Sequence, residues 1–548
     1  MRITPSAIAA FASALVLAGC SGGGTSSSTA PAGGGGAVGK PHYGGTLKIG
    51  STSSADTLLS LYAHSEGSAN DLSMAYDPLV NVDPDFNVVP WLATKWDVSK
   101  DGLTYTFHLR HDVKWSDGVP LTSADQIYEY KVTTDPTSSA PYKTDYDEVV
   151  SCVAPDKWTV VYTLKAPDAS FVANVVATLP HVPLPVHIYG KYPDAALHHL
   201  DITKTFVGSG PYVVTDWKQD DHMTMESNKN WWHGRPYIDE IFVKEYQNET
   251  SQMIALRSGE VDTVYELTTP QWLQVKTDPN FTHIHTYFNG FDQWVPNDTD
   301  PIMSDMHVRQ AMMYAMDRKT IAEKLFHGED IPAFTPIPLA MKWASSPAAL
   351  TAYPYDPAKS NAILTADGWI MGPDGYRHKN GQPLSITVGI IAGNEVSTRE
   401  FEVTQSTMKS VGIKLTAKQS EFNVFFDNEQ NGKFQLDMGG FSVSNDPDPY
   451  GFMDSKAIPP AGLNYQRWSD PETDRLIEAA RQTTDIAKRK ALYYQLQDHL
   501  IATAPVLWDV EPYYRNVVNS RIAGVDPAQA GSQFSSTMYY EPEWWVAK

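Results

Sequence analysis

The segment over residues 439–452, GGFSVSNDPDPYGF, concentrates side chains that can do chemistry. Asp446 and Asp448 are each followed by proline, and the aromatic residues Phe441 and Tyr450 flank them. Two carboxylates in one short loop are compatible with three kinds of site: a catalytic pair, part of a metal cage, or a clamp for the charged end of a ligand. The surroundings that the rest of the chain provides decide among the three.

The loop gives little support to catalysis. A glycosidase pair normally comes from separate segments that face each other across a cleft, whereas Asp446 and Asp448 share one loop. The proline after each aspartate favours an extended or turn backbone. In a second interpretation the prolines stiffen this turn and Asp448 caps a neighbouring helix.

Signatures of several common enzyme classes are absent from the sequence. The chain has no Walker-type phosphate loop and no H-E-x-x-H or C-x-x-C motif. We therefore expect a protein that is not an enzyme and that carries neither a cofactor nor a metal. A carboxylate-dependent glycoside hydrolase is the remote alternative.

Four histidines lie close together in the sequence, at His181, His187, His198 and His199. Their proline-rich stretch lacks the spacing that places two ligands on one helical face, so we expect surface or core histidines rather than a metal site. Cys152 lies in VVSCVAPDKWTVVYTLK and is predicted to be a small buried side chain beside a strand.

Length and charge restrict the class of protein. At 548 residues the chain is too long for one compact core, so two or three domains are expected. The formal charge of −22, from 42 basic and 64 acidic residues, argues against nucleic acid as a partner, since phosphates would be repelled. The 15 tryptophans and 28 tyrosines exceed what cores alone require and suit a ligand cleft.

The N-terminus predicts export and a tether. Arg2 precedes the apolar run AIAAFASALVLAGC, which is too short to remain as a membrane span but suits a signal peptide over 1–20. Its last four residues resemble a bacterial lipobox, which makes Cys20 the lipidation site; an ordinary signal peptide with an incidental cysteine is the alternative. A flexible Gly/Ser/Ala linker follows over 21–43. We expect an extracytoplasmic body held at the outer face of the cell membrane.

Hydrophobic periodicity predicts strands in the first half and more helices in the second. Alternation predicts strands in LTYTFHLR and KWTVVYTLK. Thr122 and Asp125 have capping-box spacing, so a helix is predicted to begin there. Further helical predictions rest on three features: the stripe Val308, Ala311, Met312 and Ala315, a helix from the cap Asp317 to Gly328, and Leu492, Leu496 and Leu500 at four-residue steps. This pattern is α/β with mixed sheets.

A series of motifs in a fixed order then resembles one protein family. The motifs are GGTLKIG (44–50), AYDPLVNVDPDFNVVPWLATKWDVSKDGLTYTFHLRHDVKWSDGVPLTSAD (75–125), VGSGPYVV (207–214), NKNWWHGRPYIDEI (228–241), RSGEVD (257–262), VRQAMMYAMDRKTI (308–321), ILTADGW (363–369) and TAPVLW (503–508). They resemble the family 5 extracellular solute-binding proteins of bacterial ABC importers, which bind dipeptides, oligopeptides or nickel. The resemblance covers nearly all of residues 44–520.

The resemblance implies a two-lobed, class II type clamshell with three domains. Lobe one would combine a discontinuous domain (44–75, 205–285 and 510–548) with a strand-rich insert (76–204), and lobe two would span 290–505. The chain would cross the hinge near YFNGFDQW and near LWDVEPYY. Closure would bury a ligand between the lobes, and separate permease and ATPase subunits of the importer would be the partners. We expect a monomer.

The resemblance also gives the opening loop a role. In peptide-binding relatives this loop reads W-x-x-D before a D-P pair, and the first aspartate binds the ammonium group of the peptide. Here Phe441 takes the aromatic position, Ser444 or Asn445 takes the place of that aspartate, and Asp446 is the candidate to replace it. Ile391 stands near the position of an arginine that binds a dipeptide carboxylate in some relatives, which disfavours a simple dipeptide.

We therefore expect an oligopeptide as the ligand, with an oligosaccharide as the alternative and a metal chelate behind both. A peptide would pair through its main chain and its ammonium group, whereas a sugar would stack on aromatic faces and bond to neutral amides. The predicted ligand-binding residues are Trp294, Phe441, Ser444, Asn445, Asp446, Asp448 and Tyr450.

Overall fold

The computed structural model describes residues 40–347, 349–527 and 542–547. The predicted signal peptide, Cys20 and the linker as far as residue 39 lie outside the described residues. The described strands are β1 Thr46–Ser51, β2 Val80–Val82, β3 Val88–Pro90, β4 Ala93–Val98, β5 Thr104–Leu109, β6 Val149–Asp156, β7 Thr159–Leu164, β8 Tyr212–Lys218, β9 His222–Ser227, β10 Glu240–Glu245, β11 Thr263–Val264, β12 Phe281–Tyr287, β13 Gly290–Pro296, β14 Asp330–Pro332, β15 Ile370–Met371, β16 Arg377–Lys379, β17 Gln382–Pro383, β18 Ser385–Ile391, β19 Lys414–Ser420, β20 Leu436–Ser442, β21 Leu507–Trp508, β22 Val510–Asn519, β23 Ile522–Ala523 and β24 Trp545–Val546.

Helices separate these strands, and most of the longer ones lie in the second half. The described α-helices are α1 Glu66–Ser73, α2 Ser123–Thr134, α3 Val186–Tyr189, α4 Glu249–Ser258, α5 Thr269–Val275, α6 Met306–Ala315, α7 Arg318–Thr320, α8 Pro357–Ala366, α9 Glu395–Ser410, α10 Phe422–Gln430, α11 Tyr450–Met453, α12 Pro471–Arg481 and α13 Ile486–Thr503. In the described part of the chain, none of the helices combines the length and the apolar character that crossing a membrane requires.

Sheet A is a mixed five-stranded sheet in the spatial order β11-β1-β10-β9-β8. Strand β1 pairs in parallel with β10 and β11, whereas β9 is antiparallel to both β10 and β8. Leu47 and Ile49 of β1 are fully buried. A parallel pair needs a long crossover, and the chain between β1 and β10 supplies it by passing through the whole of sheet B.

Sheet B is a four-stranded antiparallel sheet in the order β4-β5-β7-β6. Its central strands confirm the predicted alternation, because every second residue of β5 and β7 is buried. Helix α2 begins after Thr122 as predicted, and the Asp125 carboxylate accepts the Thr122 backbone N–H at 2.8 Å. Cys152 lies buried in β6, and this burial raises the pKa of its thiol, in agreement with a core position.

Sheet C is a second mixed sheet, in the order β19-β18-β20-β13-β21. Strand β18 runs parallel to β19 and β20, while β13 is antiparallel to β20 and β21. The carboxyl ends of β18 and β20 therefore lie at the same edge of the sheet. The loop that contains the two D-P dipeptides, residues 443–449, leaves the sheet at that edge.

The predicted helices of the second half are present around sheet C. Helix α6 buries the stripe Val308, Ala311, Met312 and Ala315, and α13 carries the three leucines. The helix predicted from Asp317 begins there, since the Asp317 carboxylate accepts the backbone N–H of Thr320 at 3.1 Å. It then widens into a π-helical turn over Ile321–Leu325 before Gly328.

Sheet D joins the two halves of the structure. Its order is β12-β22-β14, and β22 pairs with β12 over seven residues. Strand β12 leads directly into β13 of sheet C, and β21 of sheet C leads directly into β22. The chain thus passes twice between sheet D and sheet C, once at 288–289 and once at Asp509.

Candidate functional site

A cavity of ≈ 340 Å³ lies between the elements around sheet B and the loop that follows β20. This volume falls at the lower end of the range that is common for small-molecule sites. One wall comes from α1, from residues 76–91 and from residues 177–182; Asn289 and residues 443–445 form the opposite wall. Ser444 and Asn445 are thus the two predicted ligand-binding residues that line the cavity.

The Asp446 side chain does not line this cavity. Its carboxylate is buried and accepts hydrogen bonds from both terminal nitrogens of Arg489 of helix α13. The Nη1–Oδ2 distance is 2.5 Å, and the Nη2–Oδ1 distance is 2.7 Å. The Tyr493 hydroxyl donates a further hydrogen bond at 3.3 Å. Burial by itself lowers the pKa of Arg489, but the adjacent Asp446 carboxylate raises it, so the guanidinium stays charged. This ion pair leaves Asp446 without the freedom to bind a ligand ammonium.

Asp448 has a comparable partner in Arg481, the last residue of helix α12. The Arg481 Nε lies 3.2 Å from Asp448 Oδ2, and the guanidinium carbon lies 4.1 Å from the centroid of the Tyr450 ring. Asp448 Oδ1 also accepts the backbone N–H of Tyr450, the first residue of helix α11, at 3.0 Å. This contact agrees with the interpretation in which the aspartate caps a helix.

The same arginine reaches across to the sheet B side of the structure. Arg481 Nη2 donates to Asp168 Oδ2 at 2.6 Å, and the Arg481 carbonyl accepts the backbone N–H of Ala169 at 2.7 Å. We call the contacts between residues 168–174 and the second half of the chain the bridge. Two of its hydrogen bonds start at the D-P loop: Asn445 Nδ2 donates to the Ala173 carbonyl at 3.2 Å, and the Asp446 N–H donates to Asn174 Oδ1 at 2.8 Å.

The aromatic residues predicted to stack on a ligand lie elsewhere. Trp294 is fully buried, and its indole N–H donates to Asp509 Oδ2 at 2.8 Å. Phe441 packs against Phe452 with ring centroids 4.2 Å apart, and Tyr450 stacks under Arg481. These side chains face protein rather than the cavity, because hydrophobic residues near a sheet edge gain more from core contacts than from an open cleft.

Different aromatic residues line the cavity: Tyr76, Phe86, Trp91 and Trp231. They surround Asp77, whose buried carboxylate accepts three indole N–H groups. Oδ1 accepts from Trp91 at 2.7 Å, and Oδ2 accepts from Trp231 and Trp232 at 3.0 Å each. Burial raises the pKa of Asp77 to about 6, although the indole hydrogen bonds act to lower it.

The glycines of the VGSGPYVV motif help to position Asp77. A Cβ on Gly208 would meet the Ala75 carbonyl oxygen at 2.3 Å, and one on Gly210 would meet the Ala75 carbonyl carbon at 2.7 Å. Only glycine permits this close approach of two backbones. It brings the Ser209 hydroxyl to the backbone N–H of Asp77, which donates to it at 2.8 Å.

Sequence reasoning missed the group of Asp77 and its three indoles. Asp77, Trp91, Trp231 and Trp232 all fall within motifs that marked the family resemblance, but they are up to 155 residues apart. The signal that was available is the unusual number of tryptophans. Their convergence on one carboxylate depends on the pairing of segments that no local pattern reports.

The clustered histidines are not gathered into a metal site. His181 is buried between Glu129 and Asp145, with Nδ1–Oε1 at 3.3 Å and Nε2–Oδ2 at 3.0 Å. Within the described ranges, the one set of side chains close enough to share an ion is Asp305, His307 and Asp367. The Lys379 ammonium already lies 2.7 Å from Asp367 in that set, so we assign no metal to it.

Comparison with known proteins identifies the class. Residues 87–461 match the bacterial extracellular solute-binding proteins, family 5, middle region. This match covers more than half of the chain, and the chain therefore belongs to the family 5 solute-binding proteins of ABC importers. These are binding proteins rather than enzymes, with a two-lobed α/β fold of mixed sheets.

Individual relatives have different ligands in their names. The oligopeptide-binding protein AppA of Bacillus subtilis (strain 168) is 27% identical over 523 residues, which cover 93% of both chains. The nickel-binding periplasmic protein of Escherichia coli (strain K12) is 26% identical over 439 residues, covering 78% of this chain and 82% of its own. The solved structure of AppA from B. subtilis with a nonapeptide is 25% identical, covers 93% of this chain and 100% of its own, and gives a TM-score of 0.73.

Proposed function

We propose that this protein captures an oligopeptide between two lobes and delivers it to the permease and ATPase subunits of an ABC importer. Lobe one would comprise residues 44–75, 205–285 and 510–548 together with the insert 76–204, and lobe two would comprise 290–505. The two passages of the chain between sheets C and D support this division, because they supply the double connection that a hinge requires.

The observation that carries the proposal is the cavity together with the bridge beside it. The cavity has walls from both proposed lobes, and direct contacts join the lobes next to it. A ligand in this position would be surrounded on both sides, and its binding energy would add to that of the bridge in the closed state. Because a ligand shifts a conformational equilibrium only by its differential affinity, a cavity shared by both lobes favours the closed form.

A peptide is the ligand that the comparisons support best. AppA of B. subtilis, the relative with a bound nonapeptide, covers nearly the whole of this chain, and other relatives are named peptide-binding proteins. A longer peptide would lie partly outside a cavity of ≈ 340 Å³ and run along the loop that follows β20. Strand-like main-chain pairing would then bind it independently of its side chains.

An oligosaccharide remains the second candidate, on the strength of the cavity lining. Trp91 and Trp231 offer aromatic surface, and Asn81 and Asn445 offer neutral amides. This combination suits a sugar, which presents apolar faces and many hydroxyl groups.

Native mass spectrometry of gently purified protein tests the proposal directly. We expect a retained mass that corresponds to peptide, and small-angle scattering should show compaction when peptide is added to stripped protein. A co-purified glycan, or calorimetric binding of a neutral oligosaccharide with none of a mixed peptide library, would replace the peptide by a sugar. Binding of a nickel chelate alone would place this protein with the nickel-binding relatives.

The proposed location is the outer face of the cell membrane, with a lipid on Cys20. Cys20→Ala should release the protein into the medium or leave it unprocessed, as measured by fractionation and by mass spectrometry of the N-terminus. Serines 21 and 26 lie in the linker, and Ser26→Ala is the control because it should leave the lipidation of Cys20 unchanged. A Cys20→Ala protein that is still lipidated would remove the anchor from the proposal.

A further inference from the structure

The cavity contains a carboxylate that forms no ion pair with any of the described residues. Asp77 lines the cavity wall, and its side chain is bonded to three indoles. Indole N–H groups are neutral donors, so they satisfy hydrogen-bonding capacity but leave the negative charge in place. Burial raises the pKa of Asp77, and the hydrogen bonds from the three indoles act to lower it.

Arg110, which stacks on the Trp232 ring, is engaged elsewhere. The Arg110 guanidinium carbon lies 4.1 Å from the centroid of the Trp232 ring, and the Arg110 Nε pairs with Asp112 Oδ1 at 3.2 Å. The described residues that line the cavity include two carboxylates, Asp77 and Asp83, and no lysine, arginine or histidine. The cavity is therefore acidic, although the ion pairs of Asp446 and Asp448 lie close to it.

The two cavity carboxylates differ in what they bind. Asp83 Oδ1 accepts the backbone N–H groups of Asp85 and Asn87 at 2.9 Å each, so its side chain is turned toward its own loop. Asp77 is held instead by three indoles, two of which, Trp91 and Trp231, line the same cavity. A carboxylate surrounded by aromatic surface is the arrangement that recognises a positively charged nitrogen, through charge and through cation–π attraction.

We propose that Asp77, with Trp91 and Trp231, binds the positively charged nitrogen of the ligand. This inference rests on the proposed function, and it assigns the ammonium of a peptide to lobe one rather than to the D-P loop of lobe two. Asp446 cannot do this work while Arg489 holds both of its oxygens. A free carboxylate or phosphate on the ligand would be repelled from the same wall.

The first test varies the ligand and leaves the protein unchanged. Full-length protein without bound ligand is titrated calorimetrically with three mixed tetrapeptide libraries. The first library has free amino termini, the second is N-acetylated, and the third is N-acetylated but contains lysine at every second position. We expect N-acetylation to weaken binding by at least about tenfold, the loss of one charge-assisted contact. Recovery with the lysine library would assign the site to any ammonium group, and no recovery would assign it to the terminal amine.

The second test changes the carboxylate. Asp77→Asn keeps the size of the side chain and removes its charge, whereas Asp83→Asn removes a charge from the same cavity wall and serves as the matched control. We expect Asp77→Asn to lose about tenfold in affinity for the free-amine library and little for the N-acetylated one, and Asp83→Asn to keep the wild-type preference. The ratio of the two affinities reports the role even if Asp77→Asn is less stable.

The outcomes separate the inference from the proposed function. Equal binding of the free-amine and N-acetylated libraries by the wild-type protein would overturn the role of Asp77 and leave a peptide ligand in place. A preference for free amines that persists in Asp77→Asn would also overturn it. Binding of none of the libraries would overturn both the peptide ligand and the inference that rests on it.

Discussion

Two carboxylate sites on opposite walls of the same region solve the problem of burial in different ways. In the D-P loop, Asp446 and Asp448 are paired with Arg489 and Arg481. Across the cavity, Asp77 is equally buried, and in the described part of the chain its carboxylate is held by three neutral indoles and no cation. A carboxylate with a built-in cation has no charge to offer a ligand, whereas one with neutral donors does. A conspicuous acidic motif can thus be structural, while an aspartate outside that motif carries the charge of the site.

The largest effect on stability is expected when the cation that pairs with Asp446 in the D-P loop is removed. Arg489→Met should leave Asp446 buried and unpaired, and we expect the free energy of unfolding to fall by about 3–5 kcal/mol. Arg475→Met is the control, since Arg475 pairs with Glu472 on the exposed face of α12 and its loss should cost far less stability. Urea unfolding of both variants provides the measurement. A loss below about 1 kcal/mol for Arg489→Met would mean that the pair does not support the loop.

His181 adds a buried cation to this comparison of buried charges, and its charge is lost as the pH rises. Burial by itself lowers its pKa, but the hydrogen bonds that the imidazole donates to Asp145 and Glu129 raise it to about 9. A raised folded-state pKa adds stability that is fully present below about pH 6.5 and is lost as the pH rises toward 9, by about 3 kcal/mol in all.

The measurement is urea unfolding between pH 6 and 9.5 for wild type and for His181→Asn. We expect the difference in unfolding free energy between the two proteins to shrink as the pH rises. His187→Asn is the control, since the His187–Asp117 pair is partly exposed and contributes less to the free energy of unfolding. A difference that is constant across this pH range would exclude a charged His181.

Removing the charge at Asp77 tests the other side of the comparison. In Asp77→Asn the amide NH₂ group would face indole N–H groups that donate to a carboxylate oxygen in the wild type, and we expect a loss of about 1–3 kcal/mol in unfolding free energy. Tryptophan fluorescence should also change, because three indoles contact this side chain. Asp83→Asn should leave the fluorescence as it is. An unchanged spectrum in Asp77→Asn would contradict the indole contacts.

The smallest effects are expected where the two lobes meet. Arg481→Met removes a partly buried contact to Asp168 together with the pair to Asp448, and we expect it to lower ligand affinity by about tenfold and to enlarge the ligand-free protein in small-angle scattering. Lys342→Met removes an exposed pair with Asp85 between the same two regions and should change affinity by less than about threefold. Equal effects of the two variants would show that Arg481 contributes no more than a surface charge.

Much of the fold followed from local patterns. The alternation in β5 and β7, the capping box at Thr122 and the helical stripe of α6 each depend on residues close in sequence, and each is present in the structure. Such patterns work because backbone geometry fixes which neighbours share a face. The ordered motifs added the family, which the match over residues 87–461 then established.

The sequence by itself determined the class of this protein, the main helices and strands, and the presence of two unusual aspartates in one loop. Only the tertiary structure decided which carboxylates carry an unpaired charge. Arg489 lies 43 residues from Asp446 and Trp232 lies 155 residues from Asp77, so neither partnership leaves a local trace. The ionic state of a buried group depends on everything packed around it, and that environment exists only after distant segments have come together.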